Sequence, residues 1–215
     1  MSFYPICVDV QHRRCVIIGG GRVAERKART LLGYGARVRV ISPSVTTGLR
    51  RLVRARRVTW AQRAYRHCDV QGVRLVYGAT DDPVTNRAIF RDARRQRVLV
   101  NIVDQPALCS FIAPAQVRRG HLVVAVTTGG TSPTLAKRIR QRLERDFGRE
   151  YASLTRLMER LRPVVQRRIA SSAKRQRIFQ QLVDGRVFRL LQRGQSSRAQ
   201  SAALRLIEQA ARRAS

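Results

Sequence analysis

The stretch that decides the fold is residues 15–24, which read Cys-Val-Ile-Ile-Gly-Gly-Gly-Arg-Val-Ala. Its first four residues form a short apolar run that is typical of a buried strand. Three glycines follow at once, and apolar residues then recur at spacings of three and four as far as Leu32, which predicts a helix. Gly33 and Gly35 end that helix, and residues 36–41 read as a second strand. Together these elements predict a β-α-β unit of about thirty residues, the size of a parallel crossover.

The glycine turn at residues 19–21 fits the pattern G-x-G-x-x-A, completed by Ala24. Gly19 permits the tight turn out of the strand, Gly21 lets the backbone approach a pyrophosphate, and Ala24 lets helix and strand pack closely. The start of the helix supplies unpaired N–H groups and partial positive charge. Because a strand precedes the turn and a helix follows it, the motif predicts dinucleotide binding. The alternative is a glycine-rich turn of purely structural use.

The end of the second strand lacks the acidic residue that commonly holds the ribose hydroxyls of a dinucleotide. Residues 41–44 read Ile-Ser-Pro-Ser there. Ser44 or backbone groups are the candidates to bind the ribose instead. On the residues alone, the choice between NAD and NADP stays open.

The alternation of strands and helices continues to about residue 113. Residues 46–56 and 83–96 are predicted as helices, and residues 58–60, 73–78 and 98–103 as strands. This half is therefore predicted to be an α/β domain with a Rossmann-like, doubly wound parallel sheet.

After Pro114 the pattern changes. A strand at 122–126, a polar loop at 127–133 and a helix at 134–147 are followed only by helix signals. We therefore expect three domains: 1–113 binding the cofactor, 114–147 serving dimerisation and substrate, and 148–215 forming a small helical domain. The tail looks too poor in apolar residues to form a good core alone. It is predicted to pack on a partner subunit, with packing on its own domain nearly as well supported.

Composition places the chain among globular proteins. Its 215 residues are 44% hydrophobic, and 44 Lys+Arg against 13 Asp+Glu give a net charge of +31. No apolar run approaches the roughly 20 residues of a membrane helix, and the start does not resemble a secretory signal, so a cytoplasmic location is expected.

The strong positive charge attracts polyanions such as nucleic acid, an anionic membrane surface or an acidic metabolite. The other explanation is arginine enrichment across a whole genome. Because the arginines are scattered, no nucleic-acid arm is favoured.

The cysteines and histidines do not suggest a metal site. The four cysteines stand far apart without a CxxC pair, which argues against a zinc ribbon or a disulfide scaffold. All four are predicted to be reduced, small core residues. Asp9 and the three histidines, His12, His67 and His121, have no spacing that suggests a triad or a metal centre, and we expect them at the surface or in turns.

Asp104 follows the predicted strand at 98–103, at the edge where open α/β sheets bind ligands. A carboxylate there can take or give protons, although it could instead cap the next element. Asp81 or Asp82, before Pro83, is predicted to be an N-cap of the following helix.

A set of motifs in fixed order covers about residues 1–145. Its members are Tyr4-Pro5-Ile6, the segment from Val16 to Lys27, Ala79-Thr80-Asp81-Asp82, Asn101-Ile102-Val103-Asp104, Ser110-Phe111-Ile112-Ala113-Pro114 and Thr128-Gly129-Gly130-Thr131-Ser132-Pro133. The set resembles the precorrin-2 dehydrogenase/sirohydrochlorin ferrochelatase module of sirohaem synthases. No single member is specific, but the set is.

The resemblance implies NAD⁺-dependent oxidation of precorrin-2 to sirohydrochlorin, followed by insertion of Fe²⁺, as a substrate, to give sirohaem. It implies a homodimer with the segment after Pro114 at the subunit interface, and Asp104 as the acid/base group. The implied cofactor-binding residues are Gly19, Gly21, Arg22, Val23, Pro43, Ser44, Thr80 and Asp81. The implied substrate-binding residues are Asn101, Thr128, Gly129, Thr131 and Ser132, and relatives often carry Ser at the position of Thr128.

Further expectations accompany the resemblance. One alternative is a dehydrogenase without ferrochelatase activity, and a more remote one is a basic, nucleotide-sensing module that binds nucleic acid. The low aromatic content of the chain argues against the nucleic-acid alternative. Neither nucleic acid nor a membrane is expected as a partner. Because the sequence stops at Ser215, methylation of the tetrapyrrole precursor is expected to belong to another protein.

Overall fold

The computed structural model describes residues 3–212, and the chain divides into two compact units between Ala113 and Pro114. The first unit contains a five-stranded parallel sheet with the order β3-β2-β1-β4-β5. Its strands are β1 (Arg14–Ile18), β2 (Arg37–Ile41), β3 (Val58–Ala61), β4 (Leu75–Gly78) and β5 (Leu99–Ile102). Its helices are α1 (Arg22–Gly33), α2 (Thr47–Arg54) and α3 (Pro83–Arg95), with short 3₁₀ helices at His67–Val70 and Pro106–Leu108. The doubly wound, Rossmann-like prediction is confirmed.

The sheet has a core on each face because side chains alternate along each strand. Cys15 and Ile17 of β1 belong to the cluster that packs under α1 and α2. Val16 and Ile18 belong to the opposite cluster, which α3 covers with Ile89. The central strand β1 is thus buried on both sides, as its apolar run predicted.

Helix α3 begins where the sequence indicated. Pro83 occupies its first turn, and the Asp82 carboxylate accepts hydrogen bonds from the N–H groups of Val84 and Thr85 at 3.0 Å each. An aspartate before this helix was predicted as its N-cap, and the prediction is confirmed for Asp82.

The second unit begins with an antiparallel strand pair and continues with helices. Its elements are β6 (Ala115–Arg119), β7 (Leu122–Val126), α4 (Pro133–Asp146), α5 (Glu150–Arg168), α6 (Ser172–Asp184), α7 (Arg186–Gln192) and α8 (Ser196–Arg212). Strand β6 was not predicted. Its sequence offers one buried apolar residue, Val117, and the strand forms by pairing with β7.

The expectation that the helical tail is too poor in apolar residues to form a core is wrong. Helices α5 to α8 share a cluster of buried side chains that includes Leu161, Leu182 and Ile207. Ala199 and Ala203 of α8 are fully buried, and their small side chains let α8 approach its neighbours closely. Each helix contributes only a few apolar residues, so no single segment revealed the core.

The cysteine prediction was correct only in part. All four are free, but only Cys15 is buried, and burial raises the pKa of its thiol to about 11. Cys109 is half-buried, whereas Cys7 and Cys68 are exposed, so the expectation that these two are core residues is wrong. Within residues 3–212, no helix is both long and apolar enough to cross a bilayer.

Candidate active site

Gly19 makes the turn out of β1 in a conformation that favours glycine. Its φ is +119°, and its N–H donates to the Ile41 carbonyl at 2.9 Å. A Cβ at this position would lie 2.1 Å from the Ala79 backbone oxygen. Gly19 therefore fixes the close contact between the end of β1 and the loops that follow β2 and β4.

Gly20 is required for a different reason, which sequence reasoning missed. A Cβ there would lie 1.8 Å from the Ser44 backbone oxygen. The Gly20 carbonyl also accepts a hydrogen bond from the Thr46 N–H at 2.9 Å. The middle glycine thus packs against the loop after β2. The available signal was the run of three glycines where the motif needs only two.

Gly21 faces open space. A Cβ built at this position meets no atom within 4 Å. Gly21 is the N-cap residue of α1, and no side chain caps this helix, whereas Thr46, Asp82 and Ser132 cap α2, α3 and α4. The first N–H groups of α1 are therefore available to an anion, and the turn fits a dinucleotide pyrophosphate.

The loop after β2, which carries Pro43 and Ser44, is held beside the glycine turn. The Trp60 indole N–H donates to the Ser42 carbonyl at 2.9 Å, and the Thr46 hydroxyl donates to Glu25 Oε2 at 2.6 Å. That hydrogen bond, together with the one from Arg29, lowers the pKa of Glu25. Pro43 and Ser44 themselves are exposed. The structure therefore brings these two predicted cofactor residues next to Gly20 and the start of α1.

The loop after β4 carries Thr80 and Asp81. The Ala79 N–H donates to the Ile18 carbonyl at 2.7 Å, which ties this loop to the end of β1. The Thr80 hydroxyl accepts from the Asp82 N–H at 3.1 Å, and the Thr80 carbonyl accepts from the Asn86 side chain at 3.0 Å. Asp81 is exposed beside them.

Asp104 lies in the loop after β5, at the same carboxyl edge of the sheet. It is exposed and has φ +58°, a left-handed conformation that aspartate tolerates better than most residues. The Val103 N–H donates to the Gly78 carbonyl at 2.9 Å and fixes the loop against β4. The next 3₁₀ helix has Gln105 as its N-cap residue, so the structure gives no support to a capping role for Asp104.

Lys27 of α1 belongs to the same edge, although sequence reasoning gave it no role. Its ammonium lies 4.7 Å from the centroid of the Tyr77 ring, and Tyr77 packs edge-on against Phe111 at 5.5 Å. Burial lowers the pKa of Lys27, with a smaller contribution from Arg26, while Cys109 and Asp104 act in the opposite direction. The signal in the sequence was a lysine four residues after Val23 and four before Leu31, on the apolar stripe of the helix.

Asn101 of β5 holds the segment that follows Asp104. Its side-chain amide donates to the Phe111 carbonyl at 2.9 Å and lies 3.5 Å from Cys109 Sγ. The Cys109 thiol in turn donates to the Ile102 carbonyl at 3.3 Å. The amide nitrogen of Asn101 thus contacts Phe111 and Cys109 within the protein. Contact of this side chain with substrate stays a prediction.

The remaining predicted substrate residues form the loop before α4 in the second unit. Thr128 Oγ1 accepts from the Ser132 N–H at 3.0 Å, and Ser132 Oγ accepts from the Leu135 N–H at 3.2 Å. Gly129 has φ +65°, and a Cβ there would meet no atom within 4 Å. Thr131 is exposed. The loop is an ordered turn at the start of a helix, and its part in substrate binding stays a prediction.

Three family models match successive parts of the chain. A model described as NAD(P)-binding matches residues 6–115. One described as "Sirohaem biosynthesis protein central" matches residues 119–146, and one described as "Sirohaem synthase dimerisation region" matches residues 150–207.

Individual relatives agree with these models. A "Siroheme synthase" of Ectopseudomonas mendocina is 40% identical over 187 residues, which is 87% of this chain and 40% of that protein. A "Siroheme synthase" of Pseudomonas paraeruginosa is 38% identical over 209 residues, 97% of this chain and 44% of that protein. The chain therefore spans less than half the length of these curated relatives. The solved structure "SirC, precorrin-2 dehydrogenase" superposes with a TM-score of 0.77 at 26% identity, covering 96% of this chain and all of that one.

Proposed function

Because the chain belongs to the sirohaem synthase family, as its motifs predicted, we propose that it oxidises precorrin-2 to sirohydrochlorin with NAD⁺ as hydride acceptor. The name of the solved relative, a precorrin-2 dehydrogenase, supports this activity. The observation that carries the proposal is a shared sheet edge. A glycine turn with open space at Gly21 and a loop that bears Asp104 both lie at the carboxyl ends of the parallel strands.

The cofactor would be held by the start of α1 and the loops around it. The N–H groups of Arg22 and Val23 would bind the pyrophosphate, because no side chain caps this helix. Gly19 shapes the turn, and Pro43 and Ser44 would flank the ribose. Residues 42–46 contain no arginine or lysine to pair with a 2′-phosphate, which favours NAD over NADP. Thr80 and Asp81 would line the adjoining part of the cofactor site.

Bound NAD⁺ would supply the hydride acceptor. The oxidation removes one hydride and one proton from the macrocycle and leaves one new double bond. The Asp104 carboxylate is the base that receives the proton. Asp104 lies near enough to Lys27 to raise the pKa of that ammonium, against the effect of burial. Asn101, Thr128, Gly129, Thr131 and Ser132 are proposed to hold the substrate.

The replacement Asp104→Asn tests the assignment of the base. It keeps the size of the side chain and removes its ability to take a proton, so kcat should fall by about 10²- to 10⁴-fold. Affinity for NAD⁺ should stay unchanged, as measured by calorimetry. The matched control is Asp184→Asn, an exposed aspartate at the end of α6, which should leave kcat at the wild-type level. An Asp104→Asn enzyme with full activity would show that another group takes the proton.

We further propose that the protein inserts Fe²⁺ into sirohydrochlorin, with iron as a substrate. The names of the curated relatives support this step, because making sirohaem requires iron insertion. Two pyrrole protons leave as the metal enters, and Asp104 can receive protons at the same place. The rate of iron insertion with and without the protein tests the proposal. If the protein does not accelerate insertion, its activity ends at the dehydrogenase step.

The working unit is proposed to be a homodimer. The match to a dimerisation region over residues 150–207 supports an assembly through the second unit. In the same unit, Val123 of β7 and Leu135 and Ile139 of α4 are large apolar side chains that are 38–49% exposed. Covering them with a second copy would bury apolar surface. The four free thiols fit a reducing compartment, and the proposed location is the cytoplasm.

A further inference from the structure

The first unit carries a concave basic surface that the proposed activity does not use. The sheet face that includes Val16 has arginines at positions 37 and 39 of β2, and both are exposed. In a doubly wound sheet both faces are normally apolar and covered by helices. Here the connection from β3 to β4 contains only the 3₁₀ helix His67–Val70, so no α-helix from this connection covers that part of the face.

The register of the strands brings the arginines together. Arg14 of β1 is directly paired with Arg37 of β2, and Arg39 follows two residues along the same face, paired with Val16 and Thr59. Neighbouring strands are only about 4.8 Å apart. Like charges placed side by side on adjacent strands repel one another and destabilise the sheet. A multivalent anion would relieve that repulsion.

These residues line a cavity of about 880 Å³, which we call the arginine cavity. Its positively charged lining residues are Arg14, Arg37, Arg39, Arg56 and Arg57. None of these five guanidinium groups forms a salt bridge within residues 3–212. The volume is that of a small-molecule site.

The carboxylate in the lining, Asp69, offsets these charges only in part, through an electrostatic interaction with Arg39. Asp69 is 7% exposed and accepts two hydrogen bonds from Arg63, at 2.6 and 2.8 Å, and one from the Arg66 N–H at 2.8 Å. Its capacity as an acceptor is therefore largely taken by groups other than the five arginines. The cavity keeps a strong excess of positive charge.

The cavity is separate from the cofactor site. Its lining comes from the segments that lead into β1, β2, β3 and β4 and from the first residues of three of these strands, as far as Val16, Arg39 and Thr59. The glycine turn, which follows the carboxyl end of β1, is not part of it. Val16 is the lining residue of β1 nearest to the turn, and the three residues from it to Gly19 span roughly 10 Å. A dinucleotide pyrophosphate on α1 would leave the arginine cavity free.

We propose that the arginine cavity binds a small polyanion that carries several phosphate or carboxylate groups. Guanidinium groups bind both kinds of oxyanion through paired hydrogen bonds, which suits a concave site lined by five arginines. A small ligand fits better than a nucleic acid, because the charges line a cavity and not an extended ridge. A second copy of this chain is a poor occupant, because its net charge is also +31.

The test uses the full chain and two probes, inorganic tripolyphosphate and citrate, measured by titration calorimetry at ~150 mM salt. One equivalent of at least one probe should bind saturably, and the tighter probe identifies phosphate or carboxylate as the preferred group. The double variant Arg37→Gln/Arg39→Gln should weaken binding about tenfold or more. Excess NAD⁺ should leave binding of the probe unchanged, because the lining of the arginine cavity does not include the glycine turn.

The matched control is Arg177→Gln/Arg205→Gln, which removes the same two charges from exposed positions on α6 and α8. It should leave affinity for the probe within about twofold, because neither residue lines the arginine cavity and salt screens exposed charges. Equal weakening by both double variants would overturn the proposal, because it would show attraction by the general positive field. Displacement of the probe by NAD⁺, binding weaker than about 1 mM, or tighter binding of longer oligonucleotides would overturn it as well.

Discussion

A methyl group added at Gly21 separates the role of the glycine turn in binding from its role in folding. Gly21 has φ −79° and ψ −172°, an extended conformation that alanine adopts readily. Its Cβ would meet no protein atom within 4 Å. Alanine lowers the entropy of the unfolded chain, which stabilises the protein, but it is a poorer N-cap than glycine, which destabilises it. Gly21→Ala should therefore change the free energy of unfolding by less than about 1 kcal/mol.

The same methyl group occupies the space through which the pyrophosphate reaches the N–H groups of α1. Losing one charge-assisted hydrogen bond weakens binding by about 1.5–3 kcal/mol, which is about 10- to 100-fold in the Kd for NAD⁺. Calorimetric titration with NAD⁺ measures the affinity, and thermal unfolding followed by circular dichroism measures the stability. Wild-type NAD⁺ affinity in Gly21→Ala would refute the placement of the pyrophosphate.

The neighbouring replacement Gly20→Ala is the matched comparison, because it adds the same atom one residue earlier. That Cβ would lie 1.8 Å from the Ser44 backbone oxygen, which cannot rotate away. The backbone would have to shift, at a cost of about 3 kcal/mol or more. The Tm should fall by roughly 10 °C. If both variants lost equal stability, the turn would have no open side at Gly21.

Three further predictions concern charge and assembly. Lys27→Met should stabilise the protein at pH 7, because the lowered pKa of Lys27 reflects the cost of burying its charge. That cost shrinks as pH rises above the lowered pKa and is gone only above the unfolded-state pKa of about 10.4. Thermal unfolding at pH 7 and pH 10 should therefore show a smaller difference from wild type at pH 10, and a variant less stable than wild type at pH 7 would contradict the reasoning. Asp69→Asn should destabilise by about 3 kcal/mol, because it breaks a buried ion pair with Arg63. Burial raises the pKa of Asp69, but the Arg63 and Arg66 hydrogen bonds and the charge of Arg63 outweigh it and lower the pKa. The difference from wild type in chemical unfolding should therefore begin to shrink as pH falls below about 4, the ordinary pKa, and should vanish only below the lowered pKa of the folded protein. Leu135→Glu/Ile139→Glu should give monomers in sedimentation while α4 still forms, and an intact dimer would place the interface elsewhere.

Local signals explain why the first unit could be predicted closely. Strand β1, the glycine turn and α1 follow from consecutive residues, and the structure ends α1 at Gly33, within one residue of the predicted end. The N-cap role of Asp82 also depends on residues at most three positions away. Interactions of this range are encoded in short stretches, so they can be read before the fold is known.

Other features depend on partners that are distant along the chain. Strand β6 needed β7 before its single buried residue, Val117, had an apolar environment. The core of the tail needed four helices, each of which looked too weak alone. Cys7 and Cys68 were placed inside on residue type, but their neighbours leave them exposed.

The sequence by itself determined the β-α-β unit, the glycine turn and the acidic residue after β5, because each arises from residues adjacent along the chain. Only the tertiary structure decided that Gly20 has no room for a side chain, that Lys27 lies over Tyr77 and that five arginines surround one cavity. The reason is strand register: parallel pairing places Arg14 beside Arg37 across a helical crossover, and no short stretch of sequence contains that contact.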